Sequence, residues 1–258
     1  MHAAFKCLMS LSLVWAASLA CVMAHAAEDR APAVIDAALY RSAVSGTASS
    51  QVAIGRFYNN MRDNPQPDPV LAAKWYKMAA DQGDAAGQSY LGGCYFFGDG
   101  VPQNYDMAFK LYRLAADQGN AHALFSLGGA LVEGRGVVAD PVEGARLIRL
   151  AAEQGLEYAQ FSLAQMYSIG QGVSSNDAEA FRWYLKVADQ GETVSQIRVA
   201  NLLHGGIGTP RDSVAALMWA ELAAMSGYDF VVKDRYREPA ARQLLTHLSR
   251  HGYPNGEA

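Results

Sequence analysis

The chain has 258 residues, a formal net charge of −4 and a hydrophobic fraction of 51%. A mildly acidic balance gives no electrostatic reason to seek nucleic acid or an anionic membrane surface. The apolar content is ample for a packed core.

From Met1 to Ala26 the chain has a short start carrying Lys6, an apolar run from Cys7 to Val22, and Ala24-His25-Ala26, a small-x-small cleavage pattern. This is the make-up of a secretory signal peptide. The run is shorter than the ~20 residues that a membrane span needs, and Glu28-Asp29 follows directly. Cleavage near Ala26 is expected to leave a soluble product in the periplasm or outside the cell. The alternative is a lipoprotein anchored through Cys21, because Ser18-Leu19-Ala20-Cys21 resembles a bacterial lipoprotein box, with Ser18 where leucine is usual. A membrane is a partner only in that second case. Removal of the leader takes Cys7 and Cys21 with it, and the remaining Cys94 is expected inside a helix, with a bridge between chains as the minority reading. Residues 27–47 are expected to form an N-terminal tether and cap.

From residue 48 onward the chain repeats itself. Asn104 to Gly119 is restated about every 36 residues, and the closing glycine recurs as Gly83, Gly119, Gly155, Gly191 and Gly227. A constant period means tandem units that bury their faces against one another. In the second half of each unit Ala108, Leu111, Tyr112, Ala115 and Ala116 fall on one face of a helix, as do Ala72, Trp75, Tyr76, Ala79, Ala80 and Ala180, Trp183, Tyr184, Val187, Ala188. Asp68, Asn104, Asp140, Asn176 and Asp212 share the register of a helix cap. Pro69 and Pro141 stand at the first helical position, and Asp140 with Glu143 and Asn176 with Glu179 form capping-box-like pairs. The first half of each unit is also helical, with Gly87, Leu91, Gly92 and Tyr95 as one close-packing face. The pairs Gly98/Gly100, Gly134/Gly136, Gly170/Gly172 and Gly206/Gly208 are expected to turn the chain between the two helices. They follow helix ends, where the dipole disfavours anions, so they are not phosphate loops.

The combination of LG, an aromatic, GxGV, a capped helix and AAxQG in one register resembles the Sel1-like repeat, a relative of the tetratricopeptide repeat. The resemblance covers Ser49 to Gly227. It implies an all-α, right-handed α-solenoid of five two-helix repeats, with the first helix of each lining a concave side. Residues 228–258 break the pattern, and Pro239 followed by Ala240 to Arg250 is expected to supply a C-terminal capping helix. Family members act mostly as scaffolds and adaptors. A cysteine-rich branch is linked to penicillin binding and β-lactam hydrolysis, and this chain lacks its cysteine pairs.

If the repeated positions build the fold, a partner is read by the positions that vary on the first helices. Those form a stripe at helical spacing, from which Tyr90, Phe97, His122, Glu133, Tyr158, Gln165, Arg198 and Asn201 are the candidate groove residues. The alternative is that the aromatic members only pack between units. No catalytic grouping, cofactor motif or metal set has a register to recommend it: His247 and His251 sit four apart on the expected last helix with no third ligand in view. The expected function is therefore an interaction module that binds a protein or peptide of the cell envelope, not an enzyme. The second reading is an envelope hydrolase or a protein binding β-lactams or peptidoglycan.

Overall fold

The apolar stripes at helical spacing are helices. A computed structural model describes residues 35–59 and 66–225, which hold eleven α-helices and no strand among the described residues. They belong to two compact units that divide after Asn120. The first unit contains α1 (Ala37–Val44), α2 (Ala48–Asn59), α3 (Pro69–Asp81), α4 (Ala85–Phe97) and α5 (Tyr105–Asp117). The second contains α6 (Ala121–Glu133), α7 (Pro141–Glu153), α8 (Glu157–Ile169), α9 (Asp177–Ala188), α10 (Thr193–Gly205) and α11 (Ser213–Met225). Within each unit every helix packs on the next in sequence. The leader, Cys21, Gly227 and the segment 228–258 with its two histidines lie outside the described residues.

Each second helix of a pair starts on the cap expected for it. The side chains of Asp68, Asn104, Asp140 and Asn176 accept from the N–H groups of Leu71, Met107, Glu143 and Glu179 at 2.9–3.1 Å, and Asp212 accepts from Ala215 at 2.9 Å. Loss of such a cap costs about 1 kcal/mol. These residues also close the preceding turn, because their own N–H groups donate to the carbonyls of Tyr58, Tyr95, Leu131, Tyr167 and Leu203 at 2.8–3.0 Å. That second bond corrects the capping-box expectation. The N–H groups of Asp140 and Asn176 are already engaged, so Glu143 and Glu179 turn their carboxylates to Arg146 and Arg182, at 2.7 and 2.8 Å.

The expected stripes are the core. Ala72, Trp75, Tyr76 and Ala79 are buried in α3, Ala108, Tyr112 and Ala115 in α5, and Ala180, Tyr184 and Val187 in α9. Leu91, Leu127, Leu163 and Val199 are buried from the first helices. Small residues set the spacing: a Cβ at Gly92 would stand 2.8 Å from the Tyr112 ring, and one at Gly128 would stand 2.8 Å from the Gly144 carbonyl oxygen. Burying one large side chain contributes about 1.5–3 kcal/mol. The exposed pair Lys77–Asp81 contributes at most a few tenths, so packing rather than surface charge holds the stack.

One set of polar residues belongs to this core. Gln51 and Gln160 are each 1% exposed, and their Nε2 atoms donate to the carbonyls of Ala43 and Ala152 at 3.1 Å, on the helix before. Their Oε1 atoms accept from Gln82 and Gln190 at 2.8 Å, and Gln88 accepts from Gln118 at 2.9 Å. Three of the four glutamines that close a repeat, Gln82, Gln118 and Gln190, thus reach back to a buried glutamine about 30 residues earlier, and the fourth, Gln154, has Leu124 at that place. A buried amide left without partners is expensive, and the amides of Gln51 and Gln160 are answered on both sides.

The turn glycines have a second reason beyond the turn. Gly100 has φ +74° and Gly172 φ +68°, and a Cβ on either would stand 2.0 Å from the carbonyl oxygen of Pro69 or Pro141. The turn of one repeat therefore rests on the start of the second helix of the repeat before, leaving no cradle for a phosphate. Cys94 is the remaining cysteine among the described residues; it is free and buried beside Tyr76 and Leu91. Burial, with a smaller push from Asp99, raises its thiol to about 11, so it stays protonated at neutral pH.

Two stability measurements check this packing. Gly172→Ala is expected to lose about 2–4 kcal/mol, from the left-handed backbone plus overpacking, whereas Gly155→Ala, also left-handed but with nothing within 4 Å, loses about 1 kcal/mol. Urea unfolding of the two variants separates them, and equal losses would refute the contact with Pro141. Gln160→Leu is expected to lose about 1–3 kcal/mol because it removes the bonds to the Ala152 carbonyl and to one N–H of Gln190, and adding Gln190→Met should recover part of that loss. A double variant less stable than the single one would show that the bridge is not the cause.

Candidate partner-binding surface

Helical geometry divides the first helix of each pair into two faces. Leu91, Gly92 and Cys94 of α4 are buried, and so are their counterparts in α6 and α8 and, in α10, Val199 and Ala200. The varying stripe lies on the remaining face. Tyr90, Asn201 and the serines Ser126 and Ser162 are half-buried, while Phe97, His122, Glu133, Tyr158, Gln165 and Arg198 are exposed.

In the first unit the two candidates differ in how much they pack. The Tyr90 ring stacks on the buried Tyr76 ring, with centroids 4.9 Å apart and planes at 15°. Phe97 is 63% exposed and touches Phe96 edge-on at 5.0 Å. An aromatic ring that far into water, at the end of α4, is a surface feature rather than core.

In the second unit the candidates form two groups. His122 at the start of α6 and Tyr158 at the start of α8 are hydrogen-bonded through Nδ1 and the phenol oxygen, and Phe125 meets the Tyr158 ring edge-on at 4.6 Å. Further along the same helices Glu133, Gln165, Arg198 and Asn201 line one cleft of about 740 Å³, drawing on α6, α8 and α10. Ser162 and Ile169, also in the stripe, line it too. Asn201 is held in place by a bond from Nδ2 to the Ile197 carbonyl at 2.9 Å.

The cleft also contains residues that sequence reasoning misses. Its floor includes Met166 and Tyr184, both buried, and Ile148 from α7. The periodicity assigns Ile148 and Tyr184 to the packing stripe, which they serve, but an edge of each also reaches the cleft. Gln171 and Ile207 come from the middle of the GxG turns, and the variation at that place, Asp99, Arg135, Gln171, Ile207, is a usable signal. Asp177 enters from the first turn of α9. The Tyr184 phenol is hydrogen-bonded to Ser168, and burial raises its pKa, with the Ser168 bond and Arg198 opposing. It is therefore a neutral polar group at the base of the cleft.

Three charged side chains line this space. Glu133 pairs with Arg135 at 2.8 Å, and Asp177 sits where the N-terminal end of α9 favours a negative charge. Arg198 forms no ion pair with any described residue. Among the described residues no group of three His, Cys, Asp or Glu side chains converges in a way that could hold a metal, and no helix is long and apolar enough to cross a membrane.

Comparison with known proteins places this geometry. The Sel1 repeat matches residues 48–84, 85–120, 121–156, 157–192 and 193–228, and each match begins at the first residue of a first helix: α2, α4, α6, α8 and α10. A protective antigen of uropathogenic Escherichia coli strains, with an SLR fold, is 31% identical, with a TM-score of 0.66 over 83% of this chain and 48% of its own. This chain thus spans about half the length of that relative. A Sel1 repeat protein from Oxalobacter formigenes is 26% identical, with a TM-score of 0.65 over 81% of this chain and 89% of its own. A Sel1 repeat protein from Klebsiella pneumoniae, 17% identical with a TM-score of 0.53, shares the fold over 83% of this chain and 98% of its own. No curated protein matches the chain. The chain belongs to the Sel1-repeat family, all-α solenoid proteins whose repeats mediate protein–protein interaction and which are typically scaffolds rather than enzymes.

Proposed function

We propose that this protein is an exported interaction module that holds a segment of another envelope protein against the varying face of its first helices. One observation carries the reading: in the second unit the varying positions Glu133, Gln165, Arg198 and Asn201 line one cleft, over a floor that borrows edges of the packing residues Ile148 and Tyr184. A fold with no further use for that face has no reason to place an arginine without an ion pair, side-chain amides and exposed isoleucines around one hollow.

Export rests on the leader pattern in residues 1–26, with release near Ala26 as the favoured outcome and lipidation at Cys21 as the other. The kinship with a protective antigen supports it, since such an antigen is one that a host response meets. In this reading the partner is an extracytoplasmic domain or peptide, and the chain acts by positioning it rather than by chemistry.

A photoreactive residue tests this in intact cells. Placed at Gln165 or Tyr158, it is expected to crosslink one dominant envelope protein, whereas the same group at Arg182, exposed on α9 in the same unit, gives no adduct. Peptidoglycan fragments at Gln165, or equal adducts at Gln165 and Arg182, would contradict the proposal.

A further inference from the structure

The geometry points to a specific occupant for the second unit's cleft: an internal stretch of extended polypeptide whose acidic side chain faces Arg198 and whose neighbouring aliphatic side chain lies against Ile169 and Ile207. The inference rests on the functional reading above and adds the chemistry of the partner.

Charge decides the first half. Of the three charged groups lining the cleft, Glu133 is answered by Arg135 and Asp177 by the start of α9, which leaves Arg198 as the one without a counter-charge among the described residues. Its guanidinium is not required by the fold, because the same place in the preceding repeats is held by Tyr90, Ser126 and Ser162. A planar fork of donors beside partly apolar walls favours a carboxylate, through charge-assisted bonds that strengthen as water is excluded.

Shape and apolar surface decide the second half. Ile169 is 71% exposed at the end of α8, and Ile207 is 46% exposed in the turn after α10. Both are cleft residues, above a floor that includes Met166 and Ile148. The amides of Gln165 and Gln171 line the same cleft, each able to donate to a peptide carbonyl and accept from a peptide N–H. A space lined from three successive first helices fits a chain passing through better than a chain end held in a closed socket.

The test is selection of phage-displayed random dodecapeptides on the immobilised full chain, on its Arg198→Glu variant and on a Gln165→Ala/Asn201→Ala variant. The wild-type chain is expected to enrich peptides with Asp or Glu within two positions of Leu, Ile, Val or Met. The Arg198→Glu chain is expected to enrich Lys or Arg at that place. The best wild-type peptide, acetylated and amidated so that it carries no terminal charge, should bind Arg198→Glu at least tenfold more weakly, and its Lys-substituted form should regain affinity there. Arg198 is exposed, so an unchanged thermal melt of this variant confirms that folding is intact. Enriched peptides without an acidic preference, or with one that persists in Arg198→Glu, would overturn the inference, and loss of binding in Gln165→Ala/Asn201→Ala would then leave the groove reading standing. Peptides indifferent to both variants, or no enrichment at all, would overturn the inference and the groove reading together.

Discussion

Everything in either unit depends on helices coming close enough for a side-chain amide to cross from one to the next. Alanine and glycine at the contact allow the approach, and the buried glutamines then fix it: Gln51 and Gln160 each tie a first helix to the helix before it and to the end of the helix after it. Apolar packing supplies most of the free energy but is tolerant of small rotations. A hydrogen bond that ends on a buried amide is not, because misalignment leaves that amide dry and unmatched. Where the bridge is present it restricts how neighbouring helices meet, while alanine, leucine and tyrosine provide the adhesion. The last described repeat shows the same rule at its edge. Gln196 keeps its bond to the Ala188 carbonyl at 3.4 Å, but its Oε1 has no partner among the described residues, and the place of the donating glutamine is held by Ser226, outside them.

That division of labour is what frees a surface. The second helices present cations to water that pair locally, as Arg146 does with Glu143 and Arg182 with Glu179, and such exposed pairs contribute little. The first helices give one face to the core and leave the other open. Fold and the proposed recognition thus draw on different positions of the same helix, so the open positions can change from repeat to repeat without loss of the stack. Tyr90 marks the limit of this separation, since it belongs to the varying stripe yet lies flat on Tyr76.

Much of this is legible in the sequence, because a period exposes whatever every repeat must do. The caps from Asp68 to Asp212, the burial of Tyr112 and Leu163, and the left-handed glycines all recur in one register. A residue that recurs without an apolar or turn signature is harder to read. The glutamine of AADQG is visible as a pattern, but its partner lies about 30 residues away on another helix, and only the buried Gln51, Gln88 and Gln160 give it a purpose. Glu143 has the spacing of half a capping box, and sequence does not show that the Asp140 N–H is already engaged by the Leu131 carbonyl. The cleft is half legible: the rows of Glu133, Gln165, Arg198 and Asn201 follow from helical spacing, whereas its floor borrows edges of Ile148 and Tyr184, whose other faces belong to the core.

The most direct test of the claim that the first-helix cleft is the recognition surface is a methyl spectrum. The chain has six isoleucines. Ile169, Ile207 and Ile148 line the cleft, and Ile54 is fully buried in the first unit. With their δ1 methyl groups labelled in the full chain, addition of the crosslinked partner, purified, is expected to shift Ile169 and Ile207 most, Ile148 less, and to leave Ile54 in place. Shifts confined to Ile54, with Ile169 and Ile207 unmoved, would show that the partner binds elsewhere and that the cleft is not the site.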